Sequence, residues 1–119
     1  MKKLYNYSAE VIRVIDGDTF KALVDLGMGS FTMPTIRLMD VQCPERGKPG
    51  FDEATNFAVS KLMGVDRIFL SSIKKDSWKR WLAYVWIPTP EHPLTVSWSL
   101  METFNVELIR EGYATHYQK

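Results

Sequence analysis

The chain has 119 residues, a formal net charge of +1 at pH 7, 45% hydrophobic residues and 24% charged residues. These proportions are typical of a folded globular domain, so they exclude a disordered or low-complexity chain. The near-neutral charge excludes a global field that would draw the protein to polyanions, so any site for them must be local. The single cysteine, Cys43, excludes an internal disulfide and a zinc or iron–sulfur site built from several cysteines of one chain.

The length predicts one domain over residues 1–119, because a second independent core would be unusually small. After Met1-Lys2-Lys3, residues 4–8 lack the apolar core of a signal peptide, and no apolar run approaches the ~20 residues of a membrane span. We therefore expect a cytoplasmic protein that does not bind membranes. Nothing in the pattern indicates an oligomeric state.

The first predicted elements form an antiparallel hairpin. Two runs rich in β-branched residues, 11–15 and 19–24, flank the turn signal Asp16-Gly17. Residues 31–41 predict a third strand, which stops before Pro44 because proline cannot donate to a strand ladder. These three strands predict a meander.

The second half predicts a helix, two strands and a second helix. Apolar residues recur at helical spacing from Phe51 to Leu62, and residues 68–70 and 81–87 are strand-like. A short extended piece through Val96 and Trp98 is a further candidate strand. The second helix is expected to begin at about Thr103 or Asn105 and to end at Glu111.

This order of elements predicts an α+β fold that is mainly β, because strands and helices do not alternate. Five short strands with two helices are the count for a small Greek-key barrel of the OB type.

Acidic and basic residues are expected to meet at one edge of this barrel. A hairpin followed by a third strand can bring Asp18 near residues 42–45, close to Arg37. Carboxylates there would suit a hard cation such as Ca²⁺ or would orient a water molecule. Arg80, in a basic stretch before the fifth strand, would supply a second guanidinium, and two arginines can hold one phosphate.

Four ordered motifs carry a specific resemblance. They are Val14-Ile15-Asp16-Gly17-Asp18-Thr19, Ile36-Arg37-Leu38 with Cys43-Pro44-Glu45, Arg80-Trp81-Leu82-Ala83-Tyr84, and Glu107-Leu108-Ile109-Arg110-Glu111-Gly112-Tyr113-Ala114. In their order and in covering most of the chain they resemble the staphylococcal nuclease (thermonuclease) family. That resemblance implies an OB-fold barrel that hydrolyses phosphodiester bonds of DNA and RNA, with Ca²⁺ as cofactor and little base specificity.

The resemblance also implies roles for individual residues. Arg37 and Arg80 match the two phosphate-binding arginines, and Glu45 matches the glutamate that positions or deprotonates water. Asp18 matches the first calcium carboxylate, and the main-chain carbonyl of Cys43 matches another calcium contact.

One departure concerns the metal. Gln42 stands where the family usually has a second calcium aspartate. A glutamine carbonyl can still ligate Ca²⁺ but adds no negative charge, so we expect weaker calcium binding, and another hard divalent ion is an alternative. Asp40, two residues earlier on the same strand face and roughly 7 Å away, would help only if the strand end were rearranged.

Substrate contacts are expected from the basic stretch and from the C-terminal tyrosines. The basic stretch 74–80, which includes Lys79 and is interleaved with Trp78 and Trp81, would form a groove for single strands, although a tryptophan here is equally a core residue. Tyr113 and Tyr117 are approximate matches to the family's tyrosines, because this chain ends at Lys119, where the archetype continues into a third helix. The connection from Asp18 to Arg37 is also several residues longer. Asp16 is interpreted as a turn residue.

Two functions from different classes follow. The first is a calcium-dependent nuclease acting on single-stranded DNA or RNA. The second is a catalytically weakened OB module that binds single-stranded nucleic acid or a protein partner, and its motivation is Gln42. A purely structural barrel within a larger assembly is a third, less specific reading.

Overall fold

The computed structural model describes residues 5–89 and 102–117. Eight strands and two helices are defined there. The strands are β1 (Tyr5–Asp16), β2 (Thr19–Gly27), β3 (Ser30–Thr32), β4 (Thr35–Leu38), β5 (Val41–Gln42), β6 (Ile68–Lys75), β7 (Trp81–Trp86) and β8 (Thr115–His116), and the helices are α1 (Phe51–Leu62) and α2 (Phe104–Arg110). The candidate strand through Val96 and Trp98 lies outside the described residues.

Five of these strands close into a barrel. The hydrogen-bonded order is β1, β6, β7, β4 and β2, and β2 pairs with β1 to complete the circle. The β4–β7 pair is parallel, and the other pairs are antiparallel. With two helices beside a mainly β core, this arrangement confirms the predicted α+β barrel of the OB type.

The third strand differs from its prediction. The expected strand over residues 31–41 is broken into β3, β4 and β5. The first break falls at Pro34, which has no N–H to donate. The second falls at Asp40, whose φ of +67° is a left-handed conformation that ends the extended run. The chain therefore turns at Asp40, and β5 leaves the barrel to pair with β8.

The two helices follow their sequence signals. In α1 the residues Ala54, Ala58 and Leu62 are spaced by four and are buried. Thr103 caps α2, because its side chain accepts a hydrogen bond from the backbone N–H of Val106 at 3.1 Å. No helix in the described part of the chain is long and apolar enough to cross a membrane.

Asn105, in the first turn of α2, ties the helix to the barrel. Its Oδ1 accepts a hydrogen bond from the N–H of Val85 at 3.0 Å, and its Nδ2 donates to the carbonyls of Met39 at 2.9 Å and Ala83 at 3.1 Å. Asn105 is 2% exposed, so all three bonds are shielded from water. This amide fixes the end of β4 against β7, where the turn toward β5 begins.

Candidate functional site

A cleft of about 410 Å³ lies where the β1–β2 turn, the β4–β5 turn and the β6–β7 turn meet. It brings together seven of the ten residues predicted from the sequence. These are Asp18, Arg37, Gln42, Glu45, Trp78, Arg80 and Tyr117. The placement of Asp18 beside Arg37 follows from the β2–β4 ladder, in which Thr19 is the register partner of Arg37.

Asp18 is the most enclosed acid of the cleft, with 5% of its surface exposed. Its Oδ2 accepts a hydrogen bond from the backbone N–H of Cys43 at 2.8 Å, and its Oδ1 accepts from the hydroxyl of Thr19 at 2.9 Å. Nη2 of Arg37 lies 3.5 Å from the same Oδ2. Asp18 therefore joins the first hairpin to Arg37 on β4 and to Cys43, the residue that follows β5.

Asp16 is part of the cleft as well as of the turn. Its Oδ1 accepts a hydrogen bond from the backbone N–H of Asp18 at 3.1 Å, the local bond expected of an aspartate in a turn. Burial and the neighbouring Asp18 raise the pKa of Asp16 to about 6. The turn interpretation is thus correct but incomplete, because two adjacent carboxyl groups face one site.

Arg37 is held by three acceptors. Its Nη1 donates to the carbonyl of Leu38 at 2.6 Å, its Nη2 donates to Oε1 of Gln42 at 3.1 Å, and Asp18 completes the set. The Nε2 of Gln42 donates in turn to the carbonyl of Cys43 at 3.0 Å. Only 12% of the Arg37 side chain is exposed, so this guanidinium is fixed against the barrel.

Arg80 is held differently, by one acid of its own turn. Its Nε lies 2.7 Å from Oδ2 of Asp76, while Oδ1 of Asp76 accepts from the backbone N–H groups of Trp78 and Arg80 at 2.9 Å each. Burial alone would raise the pKa of Asp76, but these hydrogen bonds and the Arg80 charge outweigh burial and lower it. Sequence reasoning missed Asp76, although an aspartate that precedes a tight turn was the available signal.

Asp40 and Tyr84 form a contact that the sequence did not indicate. The Tyr84 hydroxyl donates to Oδ2 of Asp40 at 2.6 Å. That bond, with burial and the Asp40 charge, raises the pKa of Tyr84 to about 12. The carbonyl of Asp40 also accepts from the backbone N–H of Tyr117 at 2.8 Å, which brings Tyr117 to the rim of the cleft. Asp40 lines the cleft because the predicted strand breaks there.

Glu45 differs from the other acids of the cleft. Asp16, Asp18, Asp40 and Asp76 each accept a hydrogen bond. The exposed Glu45 side chain has no hydrogen bond or ion pair to another side chain among residues 5–89 and 102–117. It is therefore the acid best placed to accept a proton or to hold a water molecule.

Three predicted site residues do not line the cleft as the structure places them. Cys43 is 3% exposed, and burial together with the charges of Asp18 and Asp16 raises its thiol pKa to about 12, which leaves it protonated and unreactive. Tyr113 stacks on Phe57 with ring centroids 4.4 Å apart, so it packs on the helix side of the molecule. Lys79 is exposed at the tip of the turn, with a φ of +64°.

The tryptophans of the basic stretch separate into two roles. Trp78 is 78% exposed and lines the cleft, so its core interpretation does not apply. Trp81 packs against the core beside Tyr7, with ring centroids 5.2 Å apart. Of these two tryptophans, Trp78 is the one that presents an exposed ring beside the two arginines.

The expected calcium ligands do not fit the ion as they are arranged. Between residues 5–89 and 102–117, no three His, Cys, Asp or Glu side chains come together to hold a metal. The carboxamide oxygen of Gln42 and the carbonyl of Cys43 already accept from N–H groups of the protein, and Arg37 lies beside Asp18. Ca²⁺ takes six to eight oxygen ligands, some of them waters, and each oxygen expected from the protein here already has a hydrogen-bond donor or a guanidinium beside it.

Within the described residues, the fold and the site define an OB barrel whose cleft combines two arginines, the unpaired acid Glu45 and the exposed rings of Trp78 and Tyr117. A family model described as staphylococcal nuclease homologue matches residues 35–119, which is well over half of the chain. The chain therefore belongs to the staphylococcal nuclease homologue family. Members of this family are generally calcium-dependent, and membership indicates a nuclease-type or nucleic-acid-binding function.

A curated relative extends the similarity to the N-terminal hairpin. Protein ParB of Escherichia coli is 28% identical over 115 residues, which cover 92% of this chain and 56% of that protein. The chain thus spans about half the length of this relative. The aligned share includes the region before residue 35, which the family model does not match.

Proposed function

We propose that the cleft binds the phosphodiester backbone of single-stranded DNA or RNA and hydrolyses it. The observation that carries this proposal is the place of Glu45 in the same cleft as two arginines, with no side-chain partner among the described residues. Two guanidinium groups would neutralise one phosphate, and a free carboxylate beside them would serve as base.

Each residue has a distinct part in this proposal. Arg80, on a partly exposed turn, would move to the phosphate by exchanging one of its contacts with Asp76. Arg37, fixed on the barrel, would stabilise the negative charge that develops on the phosphate oxygens. Glu45 would orient a water molecule and accept its proton during in-line attack on phosphorus.

Trp78 and Tyr117 would hold the nucleotide rather than react with it. Both rings are exposed at the cleft, Trp78 by 78% and Tyr117 by 45%. Stacking on an aromatic ring tolerates any base, which agrees with binding that has little sequence preference. Lys79, at the tip of the same turn, would contact the backbone farther along the strand.

A cleavage assay tests the proposal. Wild type, Glu45→Gln and Glu10→Gln are incubated with end-labelled single-stranded DNA and RNA, in calcium and in a chelator. Glu10 is exposed on β1 and lies outside the cleft, so Glu10→Gln makes the same chemical change at a position that does not contact the site. We expect cleavage by wild type and Glu10→Gln and a loss of about 100-fold or more in Glu45→Gln. Undiminished cleavage by Glu45→Gln would contradict the role of Glu45.

The second candidate function is a binding module without catalysis. It is favoured by Gln42, which replaces an acid of the family pattern, and by the exposed ring of Trp78. If the protein is only a binding module, the same assay gives no cleavage product in either buffer, although the protein binds the oligonucleotide. The two functions are thus separated by one experiment.

A further inference from the structure

The position of Arg37 bears on whether a calcium ion can bind in this cleft. Its Nη2 lies 3.1 Å from Oε1 of Gln42 and 3.5 Å from Oδ2 of Asp18. A calcium ion bound by both oxygens would need contacts of about 2.3–2.6 Å to each. Such an ion would compete with the guanidinium for these two oxygens, and the charge of Arg37 beside them would repel it.

Arg37 is not free to leave this position easily. Its Nη1 donates to the carbonyl of Leu38 at 2.6 Å, and the side chain is 12% exposed. A buried guanidinium that loses its partners retains its charge and carries a large desolvation penalty. The bonds to Gln42 and Asp18 therefore resist displacement by a weakly bound ion.

Gln42 contributes a bond that an acid cannot make. Its Nε2 donates to the carbonyl of Cys43 at 3.0 Å while its Oε1 accepts from Arg37. The reverse orientation of the amide would place two N–H donors against each other at Arg37, so the network fixes the orientation. An aspartate or glutamate at position 42 has no donor, and the Cys43 carbonyl would then be free.

Two further acids of the cleft, Asp40 and Asp76, also have partners within the protein. Asp40 accepts from the Tyr84 hydroxyl, and Asp76 pairs with Arg80. Within the described part of the chain, no three Asp, Glu, His or Cys side chains are grouped so that they could hold a cation. The charge of the fixed guanidinium is thus the local counterpart of Asp18.

We propose that Arg37, locked by the Gln42 carboxamide, takes the place of the family's calcium ion, so that this cleft binds nucleic acid without the metal. Gln42 is the positioning residue that decides between the two cations. The identity of the ligand rests on the proposed function, whereas the exclusion of calcium does not. The cleft then binds a phosphodiester equally well in calcium and in chelator.

Direct calcium binding tests the exclusion. Calcium is titrated calorimetrically into wild type, Gln42→Asp, Gln42→Glu and Asn56→Asp. Gln42→Glu keeps the side-chain length, replaces the amide donor with an oxygen and adds one negative charge. Asn56→Asp adds the same charge on the exposed face of α1. Circular dichroism confirms that each variant is folded.

We expect no measurable calcium binding at about 1 mM for wild type and Asn56→Asp. At least one of the two position-42 variants is expected to bind at least about tenfold more tightly than wild type and to show a calcium-dependent rise in Tm. Wild-type binding as tight as that of the variants would overturn the proposal. A failure of both folded position-42 variants to gain binding would also overturn it.

A second measurement separates this proposal from the proposed function. The affinity of wild type for a labelled single-stranded oligonucleotide is measured in calcium and in chelator. Equal affinities within about twofold support a metal-independent cleft, and a calcium-dependent gain overturns it. Absence of oligonucleotide binding in both buffers removes the proposed function and the claim about nucleic acid, and leaves the calorimetric result to decide the exclusion of calcium.

Discussion

The two arginines of the cleft differ in how the protein holds them. Arg37 lies on a barrel strand, is 12% exposed, and is held by groups from three segments of the site. Arg80 lies at the end of an exposed turn, is 32% exposed, and depends on Asp76 four residues earlier. One wall of the cleft is therefore fixed by long-range packing, whereas the other is organised locally and can adapt to a ligand.

The largest expected effect is on stability at the fixed wall. Arg37→Met leaves Asp18 as a buried charge without its counterion, so we expect a loss of about 3 kcal/mol in the free energy of unfolding. Arg80→Met removes a partly exposed pair and is expected to cost about 1 kcal/mol or less. Urea unfolding of both variants measures the difference. Equal losses would break the distinction between the two walls.

The next effect concerns binding at the adaptable wall. Trp78→Ala removes an exposed ring, so we expect oligonucleotide affinity to weaken by about 1–3 kcal/mol while Tm stays unchanged. Met28→Ala is the control, because Met28 is fully exposed on the β2–β3 turn and lies outside the cleft. Fluorescence anisotropy with a labelled strand gives both affinities. An equal loss in the control would mean that the ring is not a specific contact.

A packing variant sharpens the account of the fixed wall. A Cβ at position 17 would come within 2.7 Å of the Cys43 Sγ and 3.0 Å of the Ala54 Cβ. Gly17→Ala is therefore expected to destabilise the protein by about 1–3 kcal/mol. Gly17→Ala is expected to cost less stability when it is made in the Cys43→Ala variant than when it is made in wild type, because the Cys43 Sγ is then absent. Purely additive losses would show that the two residues do not press on each other.

The smallest effect is a pH dependence at the adaptable wall. The pKa of Asp76 is lowered on folding, so its ionised form stabilises the protein above its ordinary value of 3.8, and this contribution is lost as the pH falls through the lower folded value. Asp76→Asn is expected to be less stable than wild type by about 1 kcal/mol at neutral pH. In urea unfolding the difference should shrink as the pH falls below 3.8. A difference that is constant with pH would contradict the role of the charge.

Local signals explain which parts of the fold the sequence predicts well. The turn at Asp16-Gly17, the helix from Phe51 to Leu62 and the Thr103 cap each depend on residues within a few positions of one another. Spacing and turn chemistry report such contacts directly. The resemblance added the site residues Asp18, Arg37, Glu45 and Arg80, which the barrel brings to one cleft.

Local sequence patterns do not predict the contacts between residues that are far apart in the chain. Tyr84 reaches Asp40 across 44 positions, and β8 pairs with β5 although neither has more than two residues. The break at Asp40 depends on a left-handed backbone conformation. Aspartate can adopt this conformation, but the presence of an aspartate does not predict it. The role of Gln42 as a hydrogen-bond bridge follows from its neighbours and not from its type.

The most direct test of the central claim is where a nucleic acid binds. The protein labelled with nitrogen-15 is titrated with a single-stranded oligonucleotide, and the side-chain signals of Trp78, Arg37 and Arg80 are followed by nuclear magnetic resonance. We expect these three signals to shift together, while the backbone signal of Met28 stays unchanged. Shifts confined to residues outside the cleft would contradict it.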